Sequence, residues 1–316
     1  SPSTSPSVTP STPPGSAANP GGTVTTGGNP SGPLYVAIGD SYSSGAGSDR
    51  TPTNPTVDTS SYFTSTVYGT NQCFRNKNAA QYLLASNLGY ALTDVSCGGA
   101  NSTNVLSAGQ FGEPPQDKYV YSDIQLVTMT MTGNDAGLMW LLQACIMNQL
   151  GNVNDCSGND PTYLAAAANM KSVIINNVPS EINNILTSIT SKSKVAKVRW
   201  AGYPYILPGP GRPNETCAFL SSGEQKVWDD MQLLENNTIK SNVEAFAKSS
   251  GRDIKYVDPL ATDSPFMQLD NGHSRDACST SLNRAINGPN DNPSAGGYHP
   301  NILGQQYYYQ LYKASL

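Results

Sequence analysis

Five short apolar runs, separated by stretches with helical spacing, constrain this chain more than any other feature. The runs cover residues 34–38, 92–96, 124–132, 195–203 and 254–257. Helical spacing of apolar residues covers 75–88, 135–150, 161–192, 222–249 and 301–313. A few consecutive apolar residues bounded by turn formers mark a buried strand. Strands separated by helices of this length cannot pair as hairpins. They need crossover connections, and so a parallel sheet covered on both faces. The expected fold is of the α/β class: a three-layer α/β/α sandwich around a central, mainly parallel five-stranded sheet. No internal repeat is visible.

Residues 1–33 stand apart, since 27 of these 33 are Ser, Thr, Pro or Gly and none is charged or aromatic. Such a stretch cannot bury enough apolar surface to offset its ordering entropy. It reads as a disordered, O-glycosylated type of linker, either a spacer to a further N-terminal module or a tail. Residues 34–316 form the expected globular domain, long enough to bury a sizeable core.

Charge and cysteine content narrow the setting. Charged residues are 13 % of the chain and the formal net charge is −5, which excludes a basic nucleic-acid binder. No apolar run approaches the ~18 residues that would cross a bilayer, so no integral membrane association is expected. The six cysteines, Cys73, Cys97, Cys145, Cys156, Cys217 and Cys278, include no closely spaced pair, and only two histidines exist. A metal site is therefore not expected. An even, widely spaced set suits three disulfides in an oxidising compartment. Pairing neighbours in order (73–97, 145–156, 217–278) closes local loops. Sequons at Asn101, Asn214 and Asn236 point the same way. The expected location is secreted and extracellular, and the expected state a monomer.

The chemistry-bearing residues sit where the strands end. Sites in open α/β sheets lie beyond the carboxyl ends of the strands. The first run is followed by Gly39-Asp40-Ser41, the second by Gly98-Gly99-Ala100-Asn101, and the third by Gly133-Asn134-Asp135. Tyr298-His299-Pro300-Asn301 precedes the last helix. A Ser hydroxyl is a poor nucleophile without an adjacent base, and the base must be His299 or His273. His273 lies five residues before Cys278 and reads more simply as a loop residue anchored by a disulfide. Asp40 reads as a turn holder. Residues 139–142, after the third block, read as core or as the lining of an acyl pocket.

In this order the four blocks resemble the SGNH (GDSL) hydrolase family, over residues 34–316. They are most similar to a branch of secreted actinomycete esterases and lipases with three cysteine pairs. The resemblance implies a flavodoxin-like SGNH-hydrolase fold, with Ser41 as nucleophile and His299 as general base. It further implies an oxyanion hole built from the Ser41 and Gly99 backbone N–H groups and the Asn134 side chain. The family usually places an Asp three residues before the catalytic His, and here that position is Gly296. A backbone carbonyl, most simply that of Gly296, could orient the imidazole instead. Asp291 and Asp263 are the rival carboxylates.

The expected activity is that of a secreted serine carboxylic-ester hydrolase working through a Ser-His dyad and an acyl-enzyme, without cofactor or metal. The Ser/Thr/Pro-rich stretch is similar to linkers that join carbohydrate-binding modules to cell-wall-degrading enzymes. It favours acetyl or feruloyl esters on plant cell-wall polysaccharide and a lost N-terminal carbohydrate-binding module. The family branch favours the alternative, a lipase, phospholipase or short-chain esterase. A non-catalytic carbohydrate-binding or adhesion protein is the reading from a different class. The loss of any of the four blocks would have favoured it, and none is lost.

Overall fold

The structure is a computed structural model. It describes residues 24–56, 58–63, 72–138, 140–142, 161–217, 220–288, 291 and 297–316. The expected strands appear as β2 (Leu34–Ala37), β3 (Ala91–Asp94), β4 (Leu126–Thr130), β5 (Lys197–Ala201) and β6 (Ile254–Val257). They pair in parallel in the order β3-β2-β4-β5-β6. A sixth strand, β1 (Thr25–Gly28), joins the outer edge antiparallel to β3. The parallel core of five is as expected, and among the described residues the sheet has six strands.

β1 corrects the linker boundary at residue 33, because the edge strand comes from inside the Ser/Thr/Pro/Gly-rich stretch. The Thr25 hydroxyl meets the Tyr82 hydroxyl at 2.5 Å. Gly27 lies so close to the Tyr82 ring that a Cβ there would come within 2.7 Å of it. The small residues that suggested disorder are what lets this strand lie flat against an aromatic. The expected 145–156 disulfide and most of the expected 135–150 helix fall on residues outside those described.

Two helices pack on one face of the sheet: α2 (Ala80–Leu88) and α8 (Ile302–Ser315). Three pack together on the other: α5 (Pro161–Asn176), α6 (Val178–Lys192) and α7 (Ser222–Ser250). The 161–192 stretch is two helices rather than one, because Pro179 sits in the first turn of α6 and the chain breaks at Asn177. Proline lacks the N–H and clashes with the preceding turn, but suits a helix start. The 75–88 stretch is helical only from Ala80. Arg75 is drawn away from it into the core, where Nη1 donates to Glu113 Oε1 at 2.8 Å and Nε to the Ser96 carbonyl at 2.7 Å.

β4 is buried along its whole length and fills the centre of the sheet. The chain runs from β2 out to β3 and then returns to β4 on the opposite side of β2. That reversal makes the crevice outside the carboxyl ends of β2 and β4 the topological switch point, where ligands bind in open α/β sheets. β2 leads directly into Ser41, and β4 into Asn134.

The described disulfides are Cys73–Cys97 and Cys217–Cys278. The first lies beside the Arg75–Glu113 pair, whose arginine is fully buried. Removing one partner of a buried ion pair leaves the other charge uncompensated, at a cost of about 3–5 kcal/mol. Glu113→Ala should therefore lower unfolding stability in urea by roughly that amount. A loss under about 1 kcal/mol would contradict the burial of this pair.

Candidate active site

Between β2 and Ser41 the chain makes a tight turn that admits little but glycine. Gly39 has φ +124°, and a Cβ there would stand 2.5 Å from the Thr130 carbonyl and the Ser43 hydroxyl. Gln116 grips this residue at both ends, accepting from its N–H at 2.6 Å and donating to its carbonyl at 3.0 Å. Asp40 then caps the single-turn helix α1 (Ser41–Ser44), its Oδ1 accepting from the Tyr42 N–H at 2.9 Å. Ser41 is the first residue of α1. Its N–H belongs to the helix start that has no internal acceptor, and it has no protein acceptor among the described residues.

Asp40 is a structural anchor, as its position suggested. It is buried, and it also accepts from the Thr130 hydroxyl at 2.7 Å and the Tyr203 hydroxyl at 2.5 Å. Burial pushes its carboxyl up to about 6, against the pull of those donors.

The second block is pinned from three directions. The Cys73–Cys97 disulfide precedes it, the Gly98 N–H donates to the Cys73 carbonyl at 2.8 Å, and Gln110 Nε2 donates to the Gly98 carbonyl at 2.8 Å. Gly99 then turns at φ +77° and is exposed. Its N–H has no protein acceptor among the described residues.

The third block grips the second. In α4 (Gly133–Ala136), Asn134 Nδ2 donates to the Ala100 carbonyl at 2.8 Å. The neighbouring Asp135 accepts from the Ser102 N–H at 2.9 Å and the Ser102 hydroxyl at 2.7 Å. One amide hydrogen of Asn134 is thereby committed, which orients the side chain and leaves the second available.

His299 Nε2 lies 2.8 Å from Ser41 Oγ, and Nδ1 lies 2.9 Å from the Gly297 carbonyl. A carbonyl can only accept, so the proton sits on Nδ1 and Nε2 is free to accept the serine proton. Gly296 lies outside the described residues. The carbonyl that meets the imidazole is that of Gly297, two residues before His299 rather than three. Tyr298 between them takes φ +62°, which swings the carbonyl toward the ring. That strained turn is held by the Tyr42 hydroxyl, which donates to the Tyr298 carbonyl at 2.7 Å, and by Asn287, whose N–H donates to the His299 carbonyl at 2.9 Å. Burial holds the imidazole below its usual 6.5, and the Gly297 bond opposes this only in part.

The remaining candidates lie elsewhere. His273 Nδ1 meets Glu215 Oε1 at 2.6 Å, in the loop tied by Cys217–Cys278. Asp291 pairs with Arg284 and caps the Gly288 N–H at 2.7 Å. Asp263 is exposed. Of residues 139–142, Leu141 and Leu142 are core, Met139 lies outside the described residues, and Trp140 is 74 % exposed. The Asn236 sequon is buried in α7, its amide bonded to Tyr203, so it is closed to glycosylation in the folded chain.

Ser41, Asn134, Leu138, Tyr203 and His299 line a recess of about 20 Å³. That is room for about one water or one oxygen atom. A larger depression of about 330 Å³ lies against β1, lined by Thr26, Gly28, Pro30, Leu92 and Thr93 among others, with no carboxylate, imidazole or amine to act as acid or base. The sequence reading missed Tyr203, Tyr42 and Gln116. Tyr203 had a signal, since it ends an apolar strand on the side where sites form.

No family model matches the chain. It is 26 % identical over 276 residues to "Lipase 2" of Streptomyces coelicolor, a match covering 86 % of this chain and 82 % of that one. It is 29 % identical over 178 residues to a lipase of Streptomyces rimosus, covering 55 % of this chain and 54 % of that one. Among solved structures, an extracellular lipase from Streptomyces rimosus superposes with TM-score 0.66 at 23 % identity, covering 89 % of this chain and 99 % of that one. Phospholipase A1 from Streptomyces albidoflavus superposes with TM-score 0.66 at 23 % identity, covering 90 % and 100 %. These two likenesses concern the fold.

The acid limb of kcat/KM should fall at an apparent pKa below 6.5, since the working base is neutral imidazole and burial favours that form. A limb at pH 7 or above would mean that a carboxylate faces Nδ1. Asp291→Ala and Asp263→Ala should each cost less than about tenfold in kcat, against the ~10⁴-fold of a triad whose Asp is replaced by Asn.

Proposed function

We propose that the chain is a carboxylic-ester hydrolase of the SGNH type, working through a Ser41–His299 dyad on esters of apolar acyl groups, lipids among them, as its lipase relatives suggest. The observation that carries the dyad is the 2.8 Å contact between His299 Nε2 and Ser41 Oγ, with Nδ1 occupied by a backbone carbonyl.

In this reading Ser41 Oγ attacks the acyl carbon as its proton passes to His299 Nε2. The carbonyl oxygen becomes an oxyanion, met by the Ser41 N–H, the Gly99 N–H and the second amide hydrogen of Asn134. Donors fixed in advance cost no reorganisation when that charge appears. The imidazolium returns its proton to the alcohol oxygen as the carbon–oxygen bond breaks, leaving an acyl group on Ser41. Water then attacks the acyl-enzyme, gives its proton to Nε2, and the acid departs as Ser41 recovers the proton.

Two observations support an apolar acyl group. Trp140, two residues beyond the recess-lining Leu138, is 74 % exposed, and Phe111, beside the Gln110 brace of the Gly99 turn, is 47 % exposed. In this reading these two exposed apolar side chains, close in sequence to residues that line or brace the site, would meet the acyl group. The sequence relatives named above are lipases. Secretion is part of the same proposal, supported by the described disulfides, and no helix of the described residues is long and apolar enough to cross a membrane. The polysaccharide reading rests on the Ser/Thr/Pro-rich stretch alone.

A substrate panel tests the acyl preference. With p-nitrophenyl acetate, butyrate and octanoate, phosphatidylcholine and acetylated xylan, kcat/KM should rise with acyl length, and Trp140→Ala should lower the octanoate value severalfold while sparing acetate. Acetylated xylan outrunning every other substrate tenfold would instead favour a polysaccharide ester. Ser41→Ala and His299→Ala should each cost at least ~10⁴-fold in kcat, and Asn134→Ala ~10²–10³-fold with a smaller change in KM. Substantial activity in Ser41→Ala would end the dyad assignment.

A further inference from the structure

Tyr203 stands two residues beyond the carboxyl end of β5 and touches two catalytic turns with one oxygen. Its hydroxyl donates to Asp40 Oδ2 at 2.5 Å and accepts from the Gly133 N–H at 2.9 Å. Its ring meets the Tyr42 ring edge to face, centroids 5.2 Å apart. Its backbone is clamped by Asn236 of α7, whose Oδ1 accepts from the Tyr203 N–H at 2.8 Å and whose Nδ2 donates to the Tyr203 carbonyl at 2.9 Å. The preceding residue of α7, Glu235, accepts from the Thr132 hydroxyl at 3.4 Å. Thr132 takes φ +91°, strained for a β-branched residue, immediately before Gly133-Asn134. One turn of α7 thus reaches both Tyr203 and the entry to the Asn134 turn.

We propose that Tyr203 is a positioning residue that holds the Ser41 turn and the Asn134 turn at a fixed spacing, so that nucleophile and oxyanion donor meet the same substrate carbonyl. The inference rests on the dyad reading above and extends it. Tyr203 acts through Asp40, which caps the Ser41 helix, and through Gly133, which precedes Asn134. Without the phenol oxygen, the Gly133 N–H and Asp40 Oδ2 lose these partners inside a buried site. The oxyanion donor is used mainly in the transition state, so its misplacement falls on kcat rather than KM.

The phenol also bears on the charge of Asp40. The titratable groups facing Asp40 are Tyr42 on its own turn, Tyr203, Glu235 on α7, and Tyr308 and Tyr312 on α8. Burial pushes Glu235 up to about 8, so it is neutral in acid and leaves Asp40 as the charged member. Each hydrogen bond to Asp40 is donated by its partner. Protonating the carboxyl therefore disturbs the cap, and removing one donor makes protonation easier.

The test is Tyr203→Phe, which keeps the ring against Tyr42, assayed on p-nitrophenyl butyrate. The expected result is a fall in kcat of ~10–100-fold, the scale for misplacement by about 1 Å. KM should stay within about twofold, and the acid limb should move up by about half a pH unit. Unchanged kcat and an unmoved limb, with only the melting temperature lowered, would reduce Tyr203 to a packing residue and overturn the proposal. Should Tyr203→Phe not fold, Asn236→Ala decides, since it releases the clamp on the Tyr203 backbone. A fall in kcat with KM held within about twofold is expected, and an unchanged kcat overturns the proposal. Ser41→Ala separates the two readings. An inactive Ser41→Ala beside a fully active Tyr203→Phe defeats this inference alone, whereas an active Ser41→Ala defeats the dyad.

Discussion

The buried carboxylate of Asp40 is where four parts of the chain meet. It caps the helix that carries Ser41, ties that turn to Thr130 at the end of β4, and reaches Tyr203 beyond β5, whose hydroxyl continues to Gly133. A carboxylate out of water is costly unless several donors surround it. Burial drives the Asp40 carboxyl up to about 6 even with its donors in place. The rest of the site depends on those donors staying where they are, because they tie the turn that carries Ser41 to β4 and to Tyr203, whose hydroxyl reaches the Asn134 turn.

His299 is oriented by more modest means. A carbonyl carries less charge than a carboxylate, so Gly297 fixes the tautomer without much stabilising the imidazolium. Burial of the ring works in the same direction and keeps it neutral. A neutral base at rest favours taking the serine proton, while a less stabilised imidazolium returns it more readily to the leaving alcohol. The arrangement therefore relies on geometry, and the strained turn at Tyr298, held by the Tyr42 hydroxyl, supplies it.

How much of this could be read in the sequence follows from the range of each interaction. Ser41, Gly99, Asn134 and His299 stood out because each sits in a short turn motif at a strand end or helix start, and the parallel sheet gathers such ends. The five parallel strands were visible as apolar runs. The edge strand at Thr25–Gly28 was not, because its contacts are with Tyr82, Ala91 and Asp94, far along the chain, and its own residues look like linker. The break at Asn177 was visible in Pro179 and was passed over. The shift from Gly296 to Gly297 was unreadable, since every residue carries a carbonyl and only the left-handed turn at Tyr298 selects one. The place of Tyr203 at a strand end was legible, but its partner was not, because 163 residues separate it from Asp40 and nothing local to a tyrosine says which carboxylate it will meet.

The central claim is that Ser41, the oxyanion donors and His299 act on one carbonyl, and a crystal structure of the protein after reaction with a phosphonate ester tests it most directly. The account predicts phosphorus bonded to Ser41 Oγ. Its phosphoryl oxygen should lie ~2.7–3.1 Å from the Ser41 N–H, the Gly99 N–H and Asn134 Nδ2, with His299 Nδ1 still on the Gly297 carbonyl. An adduct on another residue, or a phosphoryl oxygen turned to solvent with Asn134 and Gly99 out of reach, would contradict it.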